Sequence, residues 1–483
     1  MNSYVIEAKS SDRYDTVVVG AGTSGCFAAI ASARGGASTL LIERSFTVGG
    51  MITEGNAGLT MFVEHCSNPE LYKNEVIDRL KSDPKSVQVV RGLADEFIKR
   101  LYKKGGARMT YGEGGSYVYT DRAAAQSTLV EMLDEAGVDL LYDTRVCLSN
   151  VKDGRVRSVV VVNKEGFTEI EGGIFIDTTG DGDLAALSGV PYRYGMSEED
   201  LKEVNFPIGG TMLCGVMFKV LGVDFKRLLD FLKSSPKNFF MQEFGIMTLD
   251  DVIESYNRGD SCIFRIILDD YPDDYNLVQV YNIPEEGGAV LLGDGCCAKD
   301  RQGEYSAGLN AKSLSEGQNF LQKNIYKLMT YINKFPGFEK ARVSCIPSVG
   351  IRETRHIEGE YVLTALDILK GERFYDTVAQ GAHPCDIHPL PPELEGMKMD
   401  HWRFSIPYRC LVAKGVGNLL VGGRCISATR TASGCIRPTA QCMAVGQACG
   451  TAAAILKGMP NTAAADIDIA ALRAQLIKDG AII

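Results

Sequence analysis

Apolar and polar positions along the first third of this chain change period several times, and each change marks an element. Thr16 to Val19 is an unbroken apolar run rich in β-branched residues, the pattern of a strand buried on both faces. It ends in Gly20-Ala21-Gly22-Thr23-Ser24-Gly25. A small-residue helix follows, carrying Ala28, Ala29, Ala31 and Ala33, and Gly35-Gly36 stops it. A second apolar strand, Ser38 to Ile42, delivers Glu43. Asp121 to Ala136 is amphipathic with helical spacing and is ended by Gly137; Val138 to Tyr142 predicts a further sheet strand. Arg145 to Ile170 reads as three short antiparallel strands, turned at Asp153-Gly154 and at Lys164-Glu165-Gly166. Ile174 to Asp177 then returns to the main sheet and ends in Thr178-Thr179-Gly180-Asp181-Gly182-Asp183.

Pro191 opens a different pattern. Strands are expected at Thr211 to Val220, Cys262 to Leu268, Leu277 to Asn282 and Ala289 to Leu292, mixed with helices, which predicts a mixed sheet. The longest helix is expected to start near Ser313, with Glu316 completing a capping box and Leu321, Ile325, Leu328 and Ile332 forming its apolar face. Residues 70 to 105 are polar and helical, interrupted at Asp83-Pro84, and Tyr111 to Tyr119 is a glycine–tyrosine loop or short strand. Ser405 to Leu411 and Asn418 to Val421 lead back to the first sheet, and a long helix with a small packing face starts at about Pro438. The expected division is a cofactor domain in three parts (1–70, 120–190, 405–483), a helical insertion or cap (71–119) and a substrate domain (191–404).

The first glycine cluster carries chemistry because it sits between a strand and a helix. Gly20 permits the tight turn, Gly22 leaves room for a pyrophosphate against the backbone, and Gly25 lets helix and strand pack closely. The helix start offers free N–H groups and a positive dipole end to the phosphates. Glu43 follows Gly22 at about the ~20-residue offset at which an acid accepts ribose hydroxyls. These residues alone fit NAD as well as FAD.

The chain continues from Glu43 to a glycine pair, Gly49-Gly50, with Thr53 beyond. In this it resembles two-dinucleotide-binding-domain flavoproteins of the glutathione reductase type, and the resemblance favours FAD over NAD. Three more pieces belong with it: Ile176 to Asp183, Gly350-Ile351-Arg352-Glu353-Thr354-Arg355, and Leu420-Val421-Gly422-Gly423-Arg424-Cys425-Ile426-Ser427. Together they resemble the broad family of FAD-dependent oxidoreductases, relatives of fumarate-reductase and thiazole-biosynthesis flavoproteins, over nearly the whole chain. The resemblance implies an α/β fold: a Rossmann-like FAD-binding domain with a three-stranded antiparallel crossover, plus a mixed α+β substrate domain. It implies cofactor contacts from Gly20, Gly22, Thr23, Ser24, Gly25, Glu43, Arg44, Gly50, Met51, Val146, Gly180 and Asp183. Gly423 and Arg424 are implied near the ribityl and phosphate part of FAD. Ile436, Arg437 and the following helix start are implied near the pyrimidine edge of the flavin, where a helix dipole would stabilise the reduced, negatively charged ring. The strand at Ile176 ends in Thr-Thr-Gly where the family has Ala-Thr-Gly. Aromatic hydroxylases of the superfamily carry Gly-Asp where this chain has Gly423-Arg424, which counts against a monooxygenase. No second glycine–helix–acid unit recurs, so a built-in NAD(P)H domain is not expected.

Composition then removes several classes. With 45% hydrophobic and 23% charged residues the 483-residue chain is an ordinary globular protein. A net charge of −10 with no basic cluster argues against nucleic acid as a partner. The N-terminus does not read as a signal peptide and no run of eighteen apolar residues appears, so no membrane span and a cytoplasmic location are expected. None of the 14 cysteines is in a CxxC pair, which removes iron–sulfur, zinc-ribbon and thioredoxin-like readings; the vicinal Cys296-Cys297 reads as structural thiols. His383, His388 and His401 fit no ligand spacing, and no metal is expected.

What remains is hydride exchange between FAD and a small polar, anionic substrate. Arg352 and Arg355 suit a carboxylate, with Glu353, Glu358 or an FAD phosphate as their other expected partners; His356 or His388 suits proton transfer, Asp386 lying beside His388. His65 and Cys66 are either an exposed loop or a covalent flavin attachment. The alternative reading is a flavoprotein of cofactor biosynthesis or macromolecule modification, of the thiazole-forming or tRNA-modifying type. A non-catalytic FAD-stabilised binding protein is a third. The oligomeric state is open; a homodimer is common among such flavoproteins.

Overall fold

The fold is that of a computed structural model, which describes residues 7–56, 58–60, 87–112, 115–195, 211–240, 248–269, 271, 276–306, 308–387, 403–459 and 461–483. Two sheets organise it. In the first, strands Asp139–Leu141, Thr39–Ile42, Tyr14–Val19, the second half of Gly166–Asp177 and Leu419–Val421 run parallel in that spatial order. The inner strands are short apolar runs buried on both faces, as a sheet covered by helices requires, and the edge strand Asp139–Leu141 is largely exposed.

The three-stranded crossover is present: Arg145–Lys152, Arg155–Asn163 and the first half of Gly166–Asp177 pair antiparallel. The expected separate return strand is absent. Gly166–Asp177 is one twelve-residue strand that leaves the crossover and enters the parallel sheet without a break. Gly172 and Gly173 make this possible, because a Cβ on Gly173 would lie 2.8 Å from the Asp15 carbonyl oxygen and one on Gly172 would lie 2.9 Å from Val17.

Helix Thr23–Arg34 packs on this sheet and against helix Thr439–Leu456. The second helix is smooth where they meet: a Cβ on Gly446 would overlap the Ser24 carbonyl, and one on Gly450 the Ala28 carbonyl. Helix Arg122–Ala136 follows its sequence signals closely. Asp121 caps it by accepting from the Ala124 N–H at 2.7 Å, and Gly137 ends it at φ +74°. Tyr111 to Tyr119 belongs to a hairpin of strands Ala107–Gly112 and Gly115–Thr120, and the polar helical stretch before it contains helix Leu93–Lys103. Residues 70–86 of that stretch, with Asp83-Pro84, lie outside the described residues, as do His65 and Cys66.

The second sheet has six strands in the order Phe239–Phe240, Ile263–Ile267, Leu277–Asn282, Ala289–Gly293, Phe218–Leu221 and Arg342–Cys345. Its pairings are all antiparallel, not mixed. Of the strand expected at Thr211 to Val220 only the end forms, because Gly215 is drawn into bridges with Gly350 and Cys297. Helix Ala311–Ile332 covers this sheet with Leu321, Ile325, Leu328 and Ile332 buried, as its periodicity predicts. Its cap is Asn310, which accepts from the Ser313 N–H at 2.9 Å; Ser313 lies inside the helix and Glu316 pairs with Arg301.

Two cores result. One surrounds the parallel sheet; the other, built from Cys214 to Ala341, fills the space under the antiparallel sheet. Ile357, Leu363, Ile368, Val378, Ala379 and Ala382 belong to the first core. The chain therefore returns to the first core well before residue 405. Among the described residues no helix is long and apolar enough to cross a membrane.

Candidate functional site

Three glycine loops meet at the carboxyl ends of the parallel strands, the crevice where open α/β sheets bind ligands. The first is the turn from Gly20 to Gly25. Gly20 adopts φ +98°, and a Cβ there would lie 2.7 Å from the Thr178 carbonyl oxygen. The Thr178 hydroxyl donates to the Val19 and Gly20 carbonyls at 2.9 and 2.7 Å, and a Cβ on Gly25 would overlap the Gly20 carbonyl. The second loop, Gly49-Gly50, lies backbone to backbone on the first. The Gly49 N–H donates to the Ala21 carbonyl at 2.8 Å, the Thr23 hydroxyl donates to the Gly49 carbonyl at 3.0 Å, and a Cβ on Gly50 would sit 3.0 Å from the Gly22 Cα. The third, Gly422-Gly423, closes over Ser24, with the Gly422 N–H donating to the Asp177 carbonyl at 2.8 Å.

These constraints set off one open direction. A Cβ on Gly22 would meet nothing within 4 Å. Gly22 begins helix Thr23–Arg34 with no side-chain cap, and the buried Ser24 Oγ beside it has no hydrogen-bond partner. Free helix-start N–H groups, an orphaned hydroxyl and a glycine facing open space fit the pyrophosphate of a dinucleotide. Glu43 stands at the rim, nearly buried. Its Oε1 accepts from the Ser45 N–H and hydroxyl at 2.9 Å each and its Oε2 from the Ala21 N–H at 2.8 Å, which leaves a lone pair on Oε2. Arg44 and Met51 are exposed, and Val146 is half-buried on the crossover.

Beyond the loops the site is charged. Asp177, fully buried, joins strand to helix. Its carboxylate accepts from the Thr179 N–H and hydroxyl and, through the other oxygen, from the Ala185 N–H at 2.8 Å. Burial raises its pKa to about 6, against the opposing pull of these donors. Arg424 donates to Asp181 at 2.8 Å, passing over Gly180, and Thr354 donates to the same oxygen at 2.9 Å. Burial works to raise the Asp181 carboxyl, but Arg424 and Thr354 prevail and hold it below the usual carboxylate range.

Arg355 donates to Asp183 at 2.8 Å and lies over the Tyr192 ring, so Asp183 is held by an arginine of the other expected domain. Glu353, buried, accepts from the Met212 N–H at 2.8 Å and pairs with Arg430 at 3.1 Å and with His356 Nε2 at 3.0 Å. Neither Arg352 nor Arg355 takes Glu353 or Glu358 as its partner. Arg352 is half-buried and donates to the Leu213 carbonyl at 2.6 Å. Asp386 pairs with Arg437; His388 and His401 lie outside the described residues.

Sequence reading missed Glu353 as a hub, and it missed the helix Arg430–Ile436 that supplies Arg430. That helix is short and made of small residues, so no hydrophobic period announces it. Ile436 ends it, and Pro438 caps helix Thr439–Leu456 without a side-chain bond. On the first turn of that long helix Gln441 is fully buried, and neither of its amide atoms has a hydrogen-bond partner. Among the described residues no cluster could hold a metal ion.

The family model described as FAD dependent oxidoreductase matches residues 15–476. The chain belongs to that family. This FAD-dependent oxidoreductase is 27% identical to the vinyl phenol reductase of Lactiplantibacillus plantarum over 169 residues, covering 31% of this chain and 34% of the reductase. It is 28% identical to protein FixC of Escherichia coli K12 over 156 residues, covering 31% of this chain and 33% of FixC. The oxidoreductase thus aligns with about a third of the length of these curated relatives. Among solved structures, a geranylgeranyl bacteriochlorophyll reductase-like protein of Thermoplasma acidophilum aligns at 14% identity and a TM-score of 0.43, covering 99% of this chain and 85% of that one. FAD is the cofactor.

Proposed function

We propose that this oxidoreductase exchanges a hydride between FAD and a small, polar, anionic organic molecule. Arg352 carries the reading. Arg355, Arg424, Arg430 and Arg437 each have a carboxylate partner, whereas among the described residues Arg352 has only the Leu213 carbonyl. A half-buried guanidinium without a counter-ion is costly, and a bidentate carboxylate of the substrate would offset that cost. Arg352 and Arg424 both act on the buried Cys214 thiol, which puts Arg352 near the arginine that holds Asp181.

FAD supplies the hydride chemistry when bound. Around it, His356 is the described candidate for holding a proton. Glu353 fixes its Nε2, while Nδ1 has no partner among the described residues. His388 remains the second candidate. The start of helix Thr439–Leu456 would stabilise negative charge at the pyrimidine edge. The relationship to a vinyl phenol reductase favours a small organic substrate over a macromolecule, and the net charge of −10 opposes a tRNA substrate.

The test is anaerobic bleaching of the flavin by candidate carboxylates and their neutral analogues. Loss of a charge-assisted bond worth roughly 1.5–3 kcal/mol should slow bleaching by about ten- to a hundredfold in Arg352→Ala, with FAD content and visible spectrum unchanged. Unchanged reduction kinetics would remove Arg352 from the mechanism.

A further inference from the structure

Sequence spacing pairs no cysteines, but the fold does. The sulfurs of Cys385 and Cys435 converge on one backbone carbonyl, that of Thr431, at 3.5 and 3.9 Å. Cys435 lies on helix Arg430–Ile436 and is 2% exposed; Cys385 is half-buried in the segment facing it. The two pieces are locked together on either side of the sulfurs. A Cβ on Gly434 would lie 3.2 Å from both the backbone N and the carbonyl O of Asp386. Arg437 donates to the Asp386 carbonyl at 2.8 Å and pairs with its carboxylate.

We propose that Cys385 and Cys435 form a reversible redox pair, a dithiol that closes to an intramolecular disulfide by exchange with a small disulfide such as oxidised glutathione. Cys385, the accessible sulfur, attacks as the thiolate. The disulfide bond of glutathione breaks, one half leaves as a thiol, and the other half stays on Cys385. Cys435 then gives up its proton and attacks the Cys385 sulfur, and the second half leaves as a thiol. Two protein thiols are oxidised by two electrons, one glutathione disulfide is reduced to two thiols, and the protons balance.

The division of labour follows from the surroundings. The neighbouring Cys385 thiol and then burial hold the Cys435 thiol well above its ordinary range, and Cys385 is the sulfur that solvent reaches, so an outside disulfide meets Cys385 first. Helix Arg430–Ile436 leads directly into helix Thr439–Leu456. Cys435 thus stands four residues before the start of helix Thr439–Leu456, the helix end proposed above to face the flavin. Its chemistry rests on the sulfur geometry and not on the substrate reading, so the two can fail separately.

The experiment treats the full-length holoprotein with oxidised glutathione, alkylates the remaining thiols under denaturing conditions and maps the unreduced peptides by mass spectrometry. The expected result is loss of two of the 14 thiols, one peptide pair joining Cys385 to Cys435, and reversal by dithiothreitol. Cys435→Ser should trap a glutathione adduct on Cys385, and Cys385→Ser should leave Cys435 unmodified. Absence of the Cys385–Cys435 peptide in the native wild-type protein, or its replacement by a link to another cysteine or another chain, would overturn the proposal.

Discussion

At the scale of single residues, the glycines of the first turn do different work, and substitution can separate them. A methyl on Gly25 would overlap the Gly20 carbonyl, whereas one on Gly22 would enter open space. Gly25→Ala must shift a buried helix off its strand, at a cost of about 1–3 kcal/mol or more from overpacking. Gly22→Ala should leave the apoprotein's stability within about 0.5 kcal/mol of wild type while obstructing the cofactor's phosphates. Urea unfolding of the apoproteins and titration with FAD would separate the two. Equal FAD affinity in Gly22→Ala and wild type would place the pyrophosphate elsewhere. These glycines, Glu43 and Ser24 were legible in the sequence because strand, turn, helix and acid are contiguous. Glu353, Arg430 and the Cys385–Cys435 pair were not. Their partners come from distant stretches, and nothing local marks an arginine's carboxylate or a cysteine's neighbour.

Elements are legible where a period or a cap is local, and less so where tertiary contacts redraw them. The helix from Arg122 has its Asp cap and Gly stop in sequence, and both are used. Asn310 displaced the expected Ser313 cap because it stands three residues earlier and offers its own side-chain oxygen to the Ser313 N–H. Strand Gly166–Asp177 runs unbroken because its two central glycines fit against neighbouring chain. At its end Asp177 ties the strand to helix Asp183–Leu187, and this junction carries a pH signature. The carboxyl has a folded pKa of about 6, above its value of 3.8 in an exposed chain. Between those values the folded state holds a proton that the unfolded state has lost, so this group's contribution to stability is full below pH 3.8 and declines as pH rises toward 6. A shift of that size corresponds to about 3 kcal/mol. Asp177→Asn cannot titrate, so its stability relative to wild type should rise between pH 4 and 6 and level off above. Parallel urea melts across that range measure the difference. A constant difference would mean that Asp177 titrates alike in both states.

The whole molecule was legible as two sheets, less so as a division of the chain. The return to the first core comes before residue 405 because Ile357, Leu363 and Val378 bury against the parallel sheet, a choice no composition change signals. What joins the two cores is a small apolar cluster, Tyr119 with Ile263, Tyr281, Ile283 and Val290, and a set of polar contacts around it: the Met212 N–H reaches Glu353 at 2.8 Å, Asn56 Nδ2 donates to the Met217 carbonyl at 3.1 Å, and Arg122 donates to Cys345 Sγ at 3.5 Å. Such a seam is weak against water unless something fills it. A cofactor that extends from Gly22 past Met51 toward Gly350, where an added Cβ would come within 3.9 Å of the Met51 methyl, would touch both sides and couple their unfolding. FAD at a hundred times its dissociation constant then adds about 2.7 kcal/mol to the stability of the whole chain. Calorimetry of the apoprotein at increasing FAD should show a single transition moving upward as one. Two transitions, with only one responding to FAD, would confine the cofactor to the first core and leave Arg352 too far from it to hold a reacting substrate.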